Sequence, residues 1–126
     1  MKITAFNPLI VSPKAEELVA LFEEMGFEKR HQKSGIDEGK VESIDMRHEG
    51  GFTIDVASAD PNLVPKDILA IRVNVDDFDG ARAFLKEKGF VNVRDDDYAE
   101  DTGSSKATLM YSPSGFAISL CQHIKD

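Results

Sequence analysis

Apolar residues recur along this chain at two spacings, and the order of those spacings is itself repeated. ITAFNPLIV, residues 3–11, is rich in apolar and β-branched side chains and reads as a strand, which Ser12-Pro13 interrupts. From Ala15 to Met25, the residues Leu18, Leu21, Phe22 and Met25 follow at three- and four-residue intervals, which predicts a helix stopped by Gly26. FEKRHQ, KVESIDMRH and GFTIDVAS predict three further strands, the last two joined at Glu49-Gly50-Gly51 as a hairpin. The order is β, α, β, β, β.

The same order returns from Ile68. ILAIRVNV reads as a strand and Asp79 to Lys88 as a helix with Ala81, Phe84 and Leu85 inward and Gly89 as its stop; FVNVR, KATLMYS and GFAISLCQ read as strands. LFEEMGF matches FLKEKGF at an offset of 63, and MRHEGGFTIDV matches MYSPSGFAISL at 64. The extra residue is expected in the loop after the first strand. Each copy is thus half of a domain. Because strand side chains alternate sides, Ile44, Met46, Ile54 and Val56, and in the second copy Met110, Ile118 and Leu120, are expected to face their own helix. The opposite side is left to line a pocket.

LIVSPKAEELVALFEEMGF, its partner IRVNVDDFDGARAFLKEKGF, and above all YSPSGFAISL carry a family likeness. The chain resembles the vicinal oxygen chelate superfamily, which includes glyoxalase I, extradiol dioxygenases, methylmalonyl-CoA epimerase, fosfomycin-resistance enzymes and bleomycin-resistance proteins. YSPSGFAISL looks like that family's Asp-Pro-Asp-Gly hairpin leading into the last strand. The resemblance implies an α+β fold in one domain, residues 1–126, with module one over about 1–60 and module two over about 66–126. Two βαβββ modules in tandem would form an open, cupped mixed sheet around a cavity, and the subunits would pair as a homodimer.

The resemblance also implies a divalent metal held by one side chain from each of four strands, with His or Gln on the opening strand of each module and Glu on the closing strand. Laid on this sequence, that pattern falls on Phe6, Asp55, Ala70 and Ser119. Phenylalanine and alanine carry no donor atom and a neutral serine hydroxyl is a poor one, so Asp55 alone does not hold a metal tightly. A slip of one residue puts Asn7 in place of Phe6, but it also moves the residue to the opposite face. The nonmetal branch, which binds and sequesters drugs or other small molecules, is therefore the closer comparison. No metal, cofactor or catalytic residue is expected. The rival reading is a metal-dependent lyase, isomerase or dioxygenase of the same superfamily whose ligands lie in another register.

If Phe6, Asp55, Ala70 and Ser119 share a face, alternation brings Ile10, Asp45, Arg47, Arg72 and Asn74 to it as well. That is a mixed lining, apolar at one end and polar at the other, as small-molecule pockets have. The expected ligand contacts are Phe6, Ile10, Asp45, Arg47, Asp55, Arg72, Asn74, Tyr98 and Ser119. Phe6 and Ile10 supply apolar contact, Arg72 and Asn74 orient a polar group, and Asp45 and Asp55 set the local charge. Arg72 sits between Ile71 and Val73 in mid-strand, and a guanidinium there needs either a protein carboxylate, such as Asp55 or Asp45, or an anionic ligand group.

Other chemistry is less well supported. Cys121 and His123 point the same way along a strand, but roughly 7 Å separates alternate residues, too far for direct proton transfer. His31 and His48 are expected to be ordinary surface. In DDDYAEDTG, Asp95 to Gly103, an EF-hand reading needs Gly at the sixth position and a bidentate acid at the twelfth, where Glu100 and Lys106 stand. The run is expected as a solvated loop at the pocket rim, with Tyr98 as a lid side chain.

Charge narrows the partners. Lys plus Arg total 15 against 23 Asp plus Glu, a net charge of −8 that repels phosphate backbones, so no nucleic acid is expected. No apolar run approaches the roughly 18 residues of a membrane span, so no membrane partner is expected. The single cysteine, Cys121, suits a reducing compartment, and a cytoplasmic location is expected. The partner left is a small organic ligand.

Overall fold

The computed structural model describes residues 1–36, 41–92, 99–101 and 105–123. The first half holds β1 (Ile3–Ser12), α1 (Ala15–Glu24), β2 (Phe27–Ile36), β3 (Val41–His48) and β4 (Thr53–Ser58). The second holds β5 (Ile68–Val75), α2 (Phe78–Glu87), β6 (Val91–Asn92), β7 (Glu100–Asp101), β8 (Ser105–Tyr111) and β9 (Ala117–His123). The fold is α+β, a βαβββ order used twice, with the short β6 and β7, both paired to β8, in the place of one strand in the second copy, and the sheet is mixed. β1 and β4 pair parallel, as do β5 and β9, while the hairpins pair antiparallel. The chain divides into two compact units, Asn7–Leu69 and Met1–Phe6 with Ala70–Asp126. No helix among the described residues is long and apolar enough to cross a membrane.

In the first unit the strands run β2-β3-β4-β1. Ala15 and Val19 of α1 pack on Ile44, Met46, Ile54 and Val56, with Ile10, Leu18, Phe22 and Phe27 around the margin. Met46 and Val56 are fully buried, and each such side chain contributes about 1.5–3 kcal/mol by leaving water. The start of α1 has no side-chain cap, but the buried Ser12 hydroxyl accepts from the Lys14 N–H at 3.0 Å and donates to Asp67 at 2.6 Å. Glu16 and Glu17 in the first turn complement the positive end of the helix dipole.

His48 is not ordinary surface. Its Nδ1 accepts from the Gly50 N–H at 2.9 Å, and its ring lies between Phe27 and Phe52 at 5.3 and 5.5 Å between centroids. It braces the β3–β4 hairpin from within. The side chain of His31 lies outside the described residues.

In the second unit the strands run β5-β9-β8-β6, with β7 on β8. Val73, Val75, Phe78, Ala81 and Leu120 form its core, joined at the edge by Ile71, Leu85 and Ile118. Asp77 caps α2 by accepting from the Gly80 N–H at 3.1 Å. Gln122 ties that helix start to β9, accepting from the Phe78 N–H and donating to the Asp76 carbonyl, both at 2.8 Å. In the β8–β9 hairpin the Ser112 hydroxyl accepts from the N–H groups of Gly115 and Phe116 at 3.0 Å each.

Two expectations need correcting here. Glu100 and Asp101, expected in a loop, pair as a short strand with Ala107 and Lys106; the remainder of the acidic run, Tyr98 included, lies outside the described residues. The second correction is the register of β1. Leu9 pairs with Asp55 as Arg72 pairs with Ser119, so β1 and β5 correspond at an offset of 63. Met46 and Met110, paired with Ile54 and Ile118, still correspond at 64. The extra residue of module two therefore falls between the helix and the closing hairpin, not after the first strand.

Candidate functional site

The register decides which side chains the helix-free side of each unit presents. In the first unit, Ile10 lies beside Val56 and packs against α1, so it is a core residue and not part of the expected lining. Phe6 keeps the parity of Ile10 and is 64% exposed. Asn7 and Leu9, one step along, take the side of Asp55. The one-residue slip weighed from the sequence is the observed pairing, and Asn7 stands where Phe6 was expected.

Asp55 is 1% exposed and its Oδ2 accepts from Asn7 Nδ2 at 3.0 Å. Asp45 stands directly across from it on β3, and like charges in opposed positions repel, so a donor at this place offsets part of that repulsion. Arg47, one alternate position on, pairs with Thr53 and is exposed. The first unit thus presents two aspartates, one held by an amide, with buried Leu9 alongside.

The second unit presents different chemistry. Arg72, Asn74, Ser119 and Cys121 share one side through the pairs Arg72 with Ser119 and Asn74 with Cys121. Asn74 is 4% exposed, and its Oδ1 accepts from Arg72 Nε at 3.2 Å. The Ser119 hydroxyl lies 3.7 Å from the Cys121 sulfur. Ala70 and Ala117, both buried, continue the row. Here the expected grouping of Arg72, Asn74 and Ser119 is the one observed, because β5 has the register the sequence led to.

Of the expected contacts, Asp45, Arg47 and Asp55 come together in the first unit and Arg72, Asn74 and Ser119 in the second. Phe6 and Ile10 are displaced to the other parity, and Tyr98 lies outside the described residues. Asn7 and Leu9 are the members that alternation from Phe6 missed. The offset of 63 between LFEEMGF and FLKEKGF, carried back onto the opening strands, would have found both.

The four strand positions that the resemblance assigns to a divalent metal hold Asn7 and Asp55 in the first unit and Ala70 and Ser119 in the second. They supply one carboxylate, one amide, one hydroxyl and a methyl group. A resident transition metal takes three or more nitrogen, sulfur or carboxylate donors, so these residues do not fit one. Among the described residues no three His, Cys, Asp or Glu side chains are grouped to hold a metal ion.

No protein-family model and no curated protein sequence matches this chain. Solved structures do match its fold. A methylmalonyl-CoA epimerase from Mycobacterium tuberculosis superposes with a TM-score of 0.65 at 14% identity, over 96% of this chain and 89% of the other. A variant of the Streptomyces coelicolor methylmalonyl-CoA epimerase, in complex with 2-nitronate-propionyl-CoA, gives 0.64 at 16% identity over 98% and 99%. A glyoxalase/bleomycin resistance protein/dioxygenase superfamily member from Vibrio splendidus 12B01 gives 0.56 at 11% identity over 96% and 99%.

Proposed function

We propose, from the premise that this chain has the vicinal oxygen chelate fold, that it binds a small organic molecule on the helix-free sides of its modules without a resident metal. The donor set carries this reading. A site built for metal chemistry needs at least three strong donors, and Asn7, Asp55, Ala70 and Ser119 supply a single carboxylate. What the two faces do hold is a small number of polar groups set among apolar ones, the composition of a pocket that orients a ligand.

The epimerase neighbours include one bound to an acyl-CoA analogue, which supports an organic ligand on this fold; at 16% identity the likeness carries over no more than the fold. The working form is a homodimer. Large apolar side chains left exposed, among them Phe52, Leu63 and Leu69, are the kind of surface a subunit contact covers.

Elemental analysis of protein purified without chelator tests the reading, followed by thermal shift with Zn, Ni, Mn, Fe and Co. Metal well below stoichiometry and no shift with any ion is the expected result. Stoichiometric metal, or a shift of several degrees, refutes it and favours the rival reading, a metal-dependent member of the superfamily. Sedimentation velocity at micromolar concentration checks the dimer.

A further inference from the structure

We propose that the ligand presents a neutral carbonyl oxygen to the second module and that Asn74 reads it by donating from Nδ2. This rests on the small-molecule reading above and names the group by which the ligand is recognised.

The place of Asn74 is fixed by its neighbours along β5. Val73 and Val75 are both buried in the core with α2, so a slip of one residue would drive an amide into that core, and Asn74 is held on the helix-free side. The residue is only 4% exposed, and its Oδ1 accepts from Arg72 Nε at 3.2 Å. That bond distinguishes the two ends of the amide, because an N–H meets the oxygen: Oδ1 is turned toward Arg72 and Nδ2 away from it. Among the described residues Nδ2 meets no acceptor, the bond through Oδ1 being the one polar contact of this side chain. A buried amide donor left unmade loses its hydration with nothing in return. Service to Arg72 alone does not explain an amide here, since an aspartate accepts from a guanidinium more strongly and buries no donor. A bound acceptor that completes Nδ2 does explain it.

The chemistry of the donor narrows the group it meets. Nδ2 carries hydrogens and no lone pair to share, so an ammonium group gains nothing from it. The amide is uncharged, Arg72 has a further interaction within the chain, and the net charge of −8 opposes anions, so a carboxylate or phosphate is not the favoured partner. A carbonyl oxygen has no proton of its own to satisfy and no full charge to desolvate, and it therefore reaches a buried donor at lower cost than a hydroxyl or an anion. Room beside the amide comes from short side chains. Cys121 stands directly across from Asn74, and Ala107 directly across from Cys121, both half-buried. Side chains of that length leave the face beside the Asn74 nitrogen to a ligand.

The test is a paired titration of the full chain followed by 1H–15N NMR, including the side-chain amide signals. Acetophenone, cyclohexanone and 2-heptanone are each compared with the alkene in which a methylene group replaces the oxygen: α-methylstyrene, methylenecyclohexane and 2-methyl-1-heptene. Benzoate serves as the charged comparator. The expected result is saturable binding of at least one ketone, movement of the Asn74 Nδ2–H2 pair, and binding at least about tenfold weaker for the matched alkene and for benzoate. Asn74→Leu removes the donor, and Asn74→Asp keeps an acceptor for Arg72 but has no N–H; in each the preference for ketone over alkene disappears. The aspartate variant keeps the test decisive if the leucine variant folds poorly. Equal binding of ketones and alkenes, tighter binding of benzoate, or an undiminished ketone preference in either variant overturns the carbonyl assignment and leaves small-molecule binding standing. No saturable binding by any of these probes overturns both.

Discussion

Gly89→Ala tests how the end of α2 is locked to the β8–β9 hairpin, and Gly115→Ala is its internal control. Both glycines sit at positive φ, +94° and +105°, where an L side chain adds roughly 1–2 kcal/mol of backbone strain. They differ in surroundings. A Cβ at Gly115 has nothing within 4 Å, whereas a Cβ at Gly89 would lie 2.8 Å from Cγ of Pro113. A proline ring has no rotamer by which to withdraw, so the hairpin or the helix end must move, and overpacking of that kind adds about 1–3 kcal/mol. The expected losses are about 1–2 kcal/mol for Gly115→Ala and about 2–5 kcal/mol for Gly89→Ala. At about 4 °C per kcal/mol for a domain of this size, the thermal midpoints fall by roughly 4–8 °C and 8–20 °C. Urea unfolding followed by circular dichroism gives both values in the same buffer. Equal losses for the two variants refute the reasoning that Pro113 cannot make room for a Cβ at position 89.

Further substitutions probe the start of α2, the register of β1 and the partner of Asp55. Gln122→Ala removes the bracket between β9 and the start of α2, and a loss of about 1–3 kcal/mol by urea unfolding is expected; a loss below about 0.5 kcal/mol contradicts it. Ile10→Ala is expected to destabilise by about 1–3 kcal/mol, since Ile10 packs on α1, while the exposed Phe6→Ala changes stability by less than about 0.5 kcal/mol. The reverse order in calorimetry would restore the register expected from sequence. Asn7→Ala leaves Asp55 without its amide donor and is expected to lower stability by about 1–2 kcal/mol, whereas Asn7→Gln retains part of the interaction; identical midpoints for both would mean that the hydrogen bond contributes nothing.

Much of this protein was legible from local pattern. Helix periodicity placed α1 and α2 to within a residue or two, with Gly26 and Gly89 as their stops, whereas the Asp77 cap of α2 was not read from the sequence. Strand alternation identified Ile44, Met46, Ile54 and Val56 as the residues under α1, and Leu120 and Ile118 as those near α2. The duplication is likewise a property of the string of residues. His48 was not legible as a brace, because its Phe27 and Phe52 partners become informative only once the hairpin has closed.

Tertiary structure decided the site. Whether Phe6 or Asn7 joins Asp55 depends on the parallel pairing of β1 with β4, two strands separated by a helix and two other strands. No local propensity distinguishes the alternatives, since a strand shifted by one residue has the same composition and the opposite face. Packing distinguishes them: with Ile10 beside Val56 an apolar side chain enters the α1 core, and Asn7 then reaches Asp55. By itself the sequence determined which elements form and which faces they bury, because those follow from periods of 3.6 and 2 within each element. Which polar groups meet was settled only when distant strands paired, because register is a property of two strands and not of either one.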